Sequence, residues 1–290
     1  MDENRSAINW FPGHMAKTRR MIKESLGSVD MVIEILDARI PRSSENPEFS
    51  ELFGQKPVLV LLNKSSLADP DKTKRWSQSL SYGGRRSIAT DCISGEGIGR
   101  IVPAIREMMA QLLERYSEKG MSGRRIRAMV AGIPNVGKST LINRLSSSKK
   151  AKAEDRPGVT QTRQWVIGSG IELLDMPGML WPRFEDRVTG ENLALTGAIK
   201  DSVLNTEELA CTLCGKLRSA YSGLLCGRYR LESAFVSDPE VSDWDLLTAI
   251  GRKRGFLVSG GETDTERTSV MFLDEFRGGR IGRISLELPE

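Results

Sequence analysis

The sequence contains little cysteine, a single histidine and no long apolar segment. Four cysteines among 290 residues are too few for a disulfide framework, so we expect a reducing compartment, the cytoplasm. No run of about 18 apolar residues occurs, which excludes a membrane-spanning helix. The opening MDENRSAINW lacks the basic start and apolar centre of a signal peptide.

The overall composition is that of a folded protein with a slight excess of positive charge. Apolar residues make up 39% and charged residues 28% of the chain, which permits a hydrophobic core and excludes a disordered chain. The net charge of +4 is compatible with a nucleic-acid partner but does not require one.

Short apolar segments alternate with amphipathic ones through most of the chain. We predict strands at 31–36, 57–62, 86–90, 126–131 and 171–174. We predict helices from Pro12-Gly13 to about residue 25, at 70–82, from about residue 95 to 119, and after Gly137. Apolar strands that alternate with helices favour an α/β fold with a mostly parallel sheet. This pattern ends near residue 205, and residues 206–290 predict a second, helical domain.

Residues 132–139, Gly-Ile-Pro-Asn-Val-Gly-Lys-Ser, match the phosphate-binding pattern G-x-x-x-x-G-K-[ST]. They follow a predicted strand and precede a predicted helix, which is the setting that this motif requires. The backbone N–H groups of such a P-loop surround phosphates, and the helix N-terminus adds positive potential. We expect Lys138 to reach the β- and γ-phosphates and Ser139 to ligate Mg²⁺.

Two further segments complete a candidate GTPase phosphate site. Asp175 ends a predicted strand three residues before Gly178. Its carboxylate can hold Mg²⁺ through a water, and the Gly178 N–H can bond the γ-phosphate. Thr160, in the segment Arg156-Pro157-Gly158-Val159-Thr160, would close on Mg²⁺ when the γ-phosphate is present. Each segment alone is weak evidence for a GTPase, but the order and spacing of the two segments after a P-loop indicate one.

The motifs that read the nucleotide base stand before the P-loop instead of after it. Residues 179–290 contain no N-K-x-D segment. Asn63-Lys64-Ser65-Ser66, at the end of the second predicted strand, takes its place, and Asp91-Cys92-Ile93 would be the small-residue loop. This order predicts a circularly permuted P-loop GTPase domain at 1–205, which is feasible because the termini of a domain often lie close together.

Several segments spread over nearly the whole chain belong to one family pattern. They are WFPGHMAK (10–17), DARIP (37–41), 132–140, DRPGVT (155–160), DMPGMLWP (175–182), TGAIKD (196–201) and AIGRKRG (249–255). On these segments the chain resembles the ribosome biogenesis GTPase A family, the YlqF-like circularly permuted GTPases. The resemblance implies a GTPase that helps assemble the large ribosomal subunit by binding rRNA of the precursor, with 206–290 as a helical RNA-binding domain.

The resemblance and the motifs together define the expected site. Nucleotide contacts are expected at Asn63, Lys64, Ser66, Cys92, Asn135, Val136, Gly137, Lys138, Ser139, Thr140 and Gly178. Mg²⁺ ligands are expected at Ser139, Thr160 and Asp175, and the resemblance implies K⁺ at Asn135. Catalytic roles are expected for Lys138, Thr160 and Gly178, with His14 as a further candidate. The expected partners are the large-subunit precursor with its rRNA and GTP or GDP, with no membrane and a monomer off the ribosome.

Ser66 is the main departure from the family pattern, in which an Asp accepts two hydrogen bonds from guanine. A hydroxyl is not a bidentate anion. Losing the charge-assisted pair of hydrogen bonds to guanine would cost about 1.5–3 kcal/mol of guanine preference. Asp69, three residues on, is an alternative source of the acid. Cys92, where the family usually has Ser, is a milder departure.

Met179 stands where Ras-like enzymes carry a glutamine that orients the attacking water. An apolar side chain cannot do this, so we expect slow hydrolysis without the ribosome or K⁺. His14 is eligible as a water-positioning or RNA-contacting residue, or it is a helix-capping or surface residue.

Other charged and sulfur-bearing residues have two interpretations each. Asp37 and Arg39 follow a strand end, where ligands bind, or they are a structural pair. Basic residues expected at rRNA phosphates, or else on a solvated face, are Arg252, Lys253, Arg254, Arg277, Arg280 and Arg283, with Lys17, Arg19, Arg20 and Lys23 near the N-terminus. Cys211, Cys214 and Cys226 are too few for a structural zinc site.

The sequence thus favours a GTP-hydrolysing assembly factor that acts as a nucleotide-controlled switch on rRNA. Two alternatives stay open. Because Ser66 replaces the usual Asp, the chain could be an ATPase with relaxed guanine specificity. Because Met179 cannot orient water, the chain could be a nucleotide-binding RNA scaffold.

Overall fold

The computed structural model describes residues 14–121, 123–146, 164–182, 184, 186–201 and 204–289, and for His14 the backbone alone. Within these residues the helices are α1 (His14–Leu26), α2 (Pro41–Ser44), α3 (Glu48–Phe53), α4 (Pro70–Ser79), α5 (Ile101–Met108), α6 (Ala110–Glu118), α7 (Lys138–Leu145), α8 (Arg187–Leu195), α9 (Thr206–Tyr229), α10 (Ser233–Ser237), α11 (Asp243–Arg254) and α12 (Thr265–Arg277). The strands are β1 (Met31–Asp37), β2 (Val58–Asn63), β3 (Arg85–Ala89), β4 (Ile126–Ala131), β5 (Gln164–Gly168) and β6 (Ile171–Asp175). None of these helices is both long and apolar enough to cross a membrane.

The strands form one sheet in the order β3-β2-β1-β4-β6-β5. All neighbours pair in parallel except β5, which runs antiparallel to β6. Every residue of β1 and β2 is buried, as expected for strands covered by helices on both faces. The carboxyl ends of the parallel strands therefore meet at one edge, where α/β proteins bind ligands. The predicted α/β class is confirmed.

Two elements differ from the sequence prediction. The edge strand β5 was not predicted, because its alternating exposed and buried residues lack the continuous apolar run of the central strands. The long helix predicted up to residue 119 is two helices, α5 and α6, because the backbone at Met109 leaves helical geometry (φ −105°, ψ 14°).

The helices after residue 205 pack around a second apolar cluster. This cluster joins α9, α11 and α12 and also includes Ala194 and Leu195 at the end of α8. Helix α9 is kinked at Tyr221 (φ −144°, ψ 36°). The Tyr221 hydroxyl donates to the Ser285 carbonyl oxygen at 3.0 Å, so the kink directs this ring toward the end of the chain.

The segment after α12 returns to the sheet domain and binds its loops through the backbone. The Ile284 N–H donates to the Leu67 carbonyl oxygen at 2.9 Å, and the Leu286 N–H donates to that of Arg39 at 2.8 Å. These bonds attach residues 284–286 to the loops that follow β1 and β2.

Glu287 anchors the same segment through its carboxylate. It accepts the Arg42 N–H at 2.7 Å, the Ser43 N–H at 3.1 Å and the Asn192 side-chain amide at 3.0 Å. The Ser43 hydroxyl also donates to it. One acid therefore joins the end of the chain to the start of α2 and to α8.

A buried charge cluster at the end of β1 connects the two parts of the molecule. Asp37 accepts two hydrogen bonds from the Arg39 guanidinium, at 2.9 and 2.8 Å, and pairs with the Lys64 ammonium at 3.0 Å. Arg39 also donates to the Arg277 carbonyl oxygen at 3.4 Å and lies over the Phe276 ring at 5.5 Å. With the Arg39 side chain 2% exposed, the structure favours the structural interpretation of Asp37 and Arg39.

Replacing Asp37 with asparagine is expected to lower the free energy of unfolding by about 3–5 kcal/mol at neutral pH, because it leaves Arg39 buried without its counter-charge. Burial raises the pKa of Asp37, but Arg39 and Lys64 outweigh it and hold that pKa well below its usual range. The stabilisation is therefore complete above about pH 4, the unfolded-state pKa, and is lost as the pH falls toward the folded-state pKa. Urea unfolding of wild type and Asp37→Asn near pH 7 and pH 3 should show a smaller difference at the lower pH.

Asp274→Asn is the matched control, because Asp274 is exposed on α12. It should change the free energy of unfolding by less than about 0.5 kcal/mol. Equal destabilisation by both variants would contradict the role assigned to the Asp37 cluster.

Candidate functional site

The Asn63 side chain joins three loops at the carboxyl edge of the sheet. Its Nδ2 donates to the Val136 carbonyl oxygen of the P-loop at 2.6 Å, and its Oδ1 accepts the Cys92 N–H at 3.0 Å. We call residues 63–69 the first base loop and residues 90–97 the second base loop. Because the buried Asn63 amide binds both the second base loop and the P-loop, the three segments form one site.

The P-loop has the curved backbone that a phosphate site needs. Gly132 has a φ of +152°, and a Cβ there would lie 2.6 Å from the Ile35 carbonyl oxygen, so a side chain is excluded. Lys138 donates to the carbonyl oxygens of Gly132 (3.1 Å) and Ile133 (2.6 Å), which places its ammonium inside the curve. Ser139 and Thr140 follow in the first turn of α7.

The loop after β6 closes against the P-loop at Gly178. A Cβ at Gly178 would lie 2.8 Å from the Pro134 nitrogen and 3.0 Å from the Lys138 Nζ. The absence of a side chain at Gly178 therefore permits this close approach, and it brings the backbone of residue 178 next to the lysine expected to bind phosphate.

The donor set at this point fits Mg²⁺. The Asp175 Oδ1 is buried and has no hydrogen-bond partner within the described part of the chain. Burial raises the pKa of Asp175 to about 6, against the nearby Lys138, and burial lowers the pKa of Lys138 to about 8, against Asp175. An unpartnered buried carboxylate oxygen is costly, and hard cations take oxygen ligands. Asp175 and the hydroxyl-bearing Ser139 are therefore suitable ligands.

Lys64 and Arg144 hold the base loops in place. Lys64 has left-handed backbone geometry (φ +61°), and its ammonium pairs with Asp37. Arg144, on the helix that begins at the P-loop, donates to the Cys92 carbonyl oxygen at 3.0 Å and also to that of Ile93. Arg144 was not predicted from the sequence, because nothing in its local pattern signals a contact with residues so distant in the chain.

Ser66 contacts an acid, but this acid is not the one that the sequence suggested. The Ser66 hydroxyl donates to Asp91 in the second base loop. Asp69 caps α4 instead, and its Oδ1 accepts the N–H groups of Asp71 and Lys72 at 3.0 Å each. Asp69 is therefore committed to the helix end.

Met179 and Trp181 are part of the core. Met179 is 1% exposed, and its backbone N–H donates to the Gly132 carbonyl oxygen at 3.3 Å. Trp181 is buried and meets the Phe184 ring edge to face, with 5.3 Å between the centroids. Trp181 and Phe184 therefore pack against each other after Gly178.

Arg277 and Arg283, expected from the sequence at rRNA phosphates, bind their own chain. Arg277 pairs with Asp201 at 2.7 Å. Arg283 donates to the carbonyl oxygens of Ser65 and Ala68 at 2.9 Å each. Contacts within the chain therefore engage both guanidinium groups, and binding of rRNA phosphates by these two residues stays a prediction.

Other basic residues of the C-terminal part differ in their surroundings. Arg254 pairs with Glu275 at 3.0 Å. Arg252 and Lys253 are exposed at the end of α11, and Arg280 is exposed after α12. These three remain accessible to a polyanion.

Part of the predicted site lies outside the described residues. This applies to Thr160 and the whole segment 155–160, to residues 10–13 and to the His14 side chain. Asn135 is described: it has a φ of +60°, and its Nδ2 donates to the Gly197 carbonyl oxygen at 2.8 Å.

Comparison with known proteins places the chain among ribosome-associated GTPases. A family model described as 50S ribosome-binding GTPase matches residues 127–213. The protein named ribosome biogenesis GTPase A from Bacillus licheniformis is 44% identical over 284 residues, covering 98% of this chain and 99% of that one. Its namesake from Priestia megaterium is 46% identical over 284 residues, covering 97% of each chain.

A solved structure, GNP-bound YlqF from T. maritima, is similar over 94% of this chain and 99% of its own, with a TM-score of 0.62 and 26% identity. Three observations point to the same family: the fold, the order of the motifs, and the sequence identity along nearly the full length of the relatives. The chain belongs to the ribosome biogenesis GTPase A family of circularly permuted GTPases.

Proposed function

We propose that this chain binds Mg²⁺-GTP at the loops around Asn63, hydrolyses it, and uses the nucleotide state to control binding to large-subunit precursor rRNA. The observation that carries the proposal is the double hydrogen bond of Asn63, to Val136 and from Cys92. It supports one site that recognises both a base and a phosphate chain. The names of the relatives support the ribosomal partner, and we expect the chain to act in the cytoplasm as a monomer off the ribosome.

Each residue of the phosphate site has a role that follows from its position. Lys138 would exchange its loop carbonyl partners for β- and γ-phosphate oxygens. The Gly178 N–H would bond the γ-phosphate, while Ser139, Asp175 and Thr160 would hold Mg²⁺, which neutralises charge on the phosphates. Asn63, Lys64, Ser66 and Cys92 would contact the base.

Hydrolysis is expected to be slow in isolation because Met179 is buried and apolar and cannot orient water. We propose that K⁺ at Asn135 or the ribosomal particle supplies what is missing. His14 stays a candidate for the same task. An ATPase or an inert scaffold is not favoured by the family of this chain.

The attachments of the C-terminal helices support a switch. These helices continue from the segment after Gly178 on one side, and on the other side Arg283, in the segment after α12, contacts the first base loop. Residues 206–290, proposed as the RNA-binding domain, are therefore attached near both the phosphate and base ends of the site.

The close approach at Gly178 predicts a variant that loses nucleotide binding. Gly178→Ala should weaken GDP and GTP binding about 5- to 150-fold, because the added carbon must displace Pro134 or Lys138 and overpacking costs about 1–3 kcal/mol. Fluorescence titration with labelled nucleotides measures this. Gly223→Ala on α9 is the control, since its Cβ would meet no atom within 4 Å. Unchanged affinity in Gly178→Ala would contradict the assigned role.

Turnover assays test the enzymatic part of the proposal. GTP hydrolysis should be slow in Na⁺, faster in K⁺ at equal ionic strength, and faster again with large-subunit precursor particles. Asn135→Gly should remove the difference between K⁺ and Na⁺, because glycine tolerates the φ of +60° but offers no side-chain oxygen. A rate of GTP hydrolysis that changes neither with K⁺ nor with precursor particles would argue against the proposal.

The exposed end of α11 predicts a charge-dependent loss of particle binding. Reversing Arg252 and Lys253 to glutamate should weaken binding to precursor particles and reduce its dependence on salt, because fewer counterions are released. GDP affinity should not change. The matched control is the same reversal at Lys74 and Arg75, which are exposed on α4. Equal loss in both double variants would contradict an RNA surface at α11.

A further inference from the structure

The two base loops contain an unusual pairing of an acid with a hydroxyl. The first base loop has Ser66 where the family pattern has a carboxylate, and the second base loop supplies the carboxylate of Asp91. The Ser66 hydroxyl donates directly to Asp91 Oδ2. Asp91 is 3% exposed, whereas Ser66 is half-buried. Ser66 is therefore the more exposed member of the pair.

The surroundings of Asp91 determine which way the pair is polarised. Asp91 Oδ1 accepts the N–H groups of Ile93 at 2.7 Å and Ser94 at 2.8 Å. Burial raises the pKa of Asp91, but the hydrogen bonds from Ser66, Ser94 and Ile93 outweigh it and hold that pKa below its usual value. An ionised carboxylate only accepts, so the Ser66 proton points toward Asp91. The Ser66 oxygen can then only accept from other groups.

We propose that Ser66 and Asp91 together form the guanine-selecting acceptor of this chain, with Asp91 as a positioning residue that holds the Ser66 proton. This inference rests on the proposed function, the binding of guanine nucleotides at the Asn63 site. Guanine presents N–H donors at N1 and N2, which a hydroxyl oxygen can accept. Adenine presents a lone pair at N1, which would face the Ser66 oxygen with no proton between them.

The scaffold holds both members of the pair in place. Arg283 donates to the Ser65 carbonyl oxygen and fixes the first base loop from the C-terminal side. Arg144 donates to the Cys92 carbonyl oxygen and fixes the second base loop from α7. Since Asn63 also joins the two loops, the pair is preorganised, which lowers the cost of selective binding.

Asp91→Asn should reverse the polarity of the pair. The N–H groups of Ile93 and Ser94 require an oxygen at Oδ1, so the asparagine must turn its NH₂ toward Ser66. The Ser66 oxygen then accepts a hydrogen bond from this amide. The Ser66 hydroxyl proton points away from the amide and can be donated to adenine N1. The preference for GDP over ADP should fall about 10- to 100-fold, the range for loss of a charge-assisted hydrogen bond. Competition of GDP and ADP against labelled GDP in Mg²⁺ measures this ratio.

Exchanging the two residues provides a rescue that a merely structural role would not give. Ser66→Asp/Asp91→Ser places the acid on the first base loop and the hydroxyl on the second, so the preference for GDP should return. The double variant Ser66→Ala/Asp91→Asn should lose no more selectivity than Asp91→Asn alone, because both changes disable one acceptor. Asp69→Asn is the matched control and should leave the ratio unchanged, since asparagine also caps helices.

The outcomes separate this inference from the proposed function. Wild type that binds no guanine nucleotide would overturn the proposed function itself. Wild type that prefers GDP, with Asp91→Asn weakening GDP and ADP alike, would overturn only the assignment of Asp91, as would an exchange variant that binds nucleotide without selectivity. Wild type that binds GDP and ADP equally would also overturn the assignment, because the pair would then select nothing.

Discussion

The buried carboxylate of Asp37 is the interaction on which much of this structure depends. It pairs with both Arg39 and Lys64, and these two partners lie in different parts of the molecule. Lys64 stands in the first base loop, while Arg39 reaches the end of α12 through the Arg277 carbonyl oxygen. A buried charge without its partner is costly, so the base loop, the strand end and the C-terminal helices are held in one arrangement.

The circular permutation keeps these loops together, because the arrangement of strands in a parallel sheet does not depend on their order in the chain. The strands that carry the base loops and those that carry the phosphate loops direct their carboxyl ends to the same edge, whichever comes first in the chain. Side chains then join the loops across the sheet. Asn63 binds the P-loop from the first base loop, and Arg144 binds the second base loop from the helix after the P-loop. These hydrogen bonds connect the two base loops and the P-loop into one arrangement.

The end of the chain adds a third connection. Residues 283–287 bind carbonyl oxygens and N–H groups of the loops after β1 and β2. Tyr221, at the kink of α9, bonds to the same segment and to Asp69 at the cap of α4. A movement of the first base loop would therefore displace the C-terminal helices through these contacts. Any movement passed along the chain from Gly178 would add to it.

The sequence alone determined the α/β class, the bounds of the central strands to within about two residues, the P-loop and the permuted motif order, because apolar periodicity and glycine-rich loops are local properties. The edge strand β5 was missed, since it lacks the continuous apolar run of the buried strands. Only the tertiary structure decided that Arg277 and Arg283 bind their own chain, and that the acid near Ser66 is Asp91 rather than Asp69. Such pairings join residues far apart in the chain, and only the packing of the sheet and helices brings them within hydrogen-bond distance.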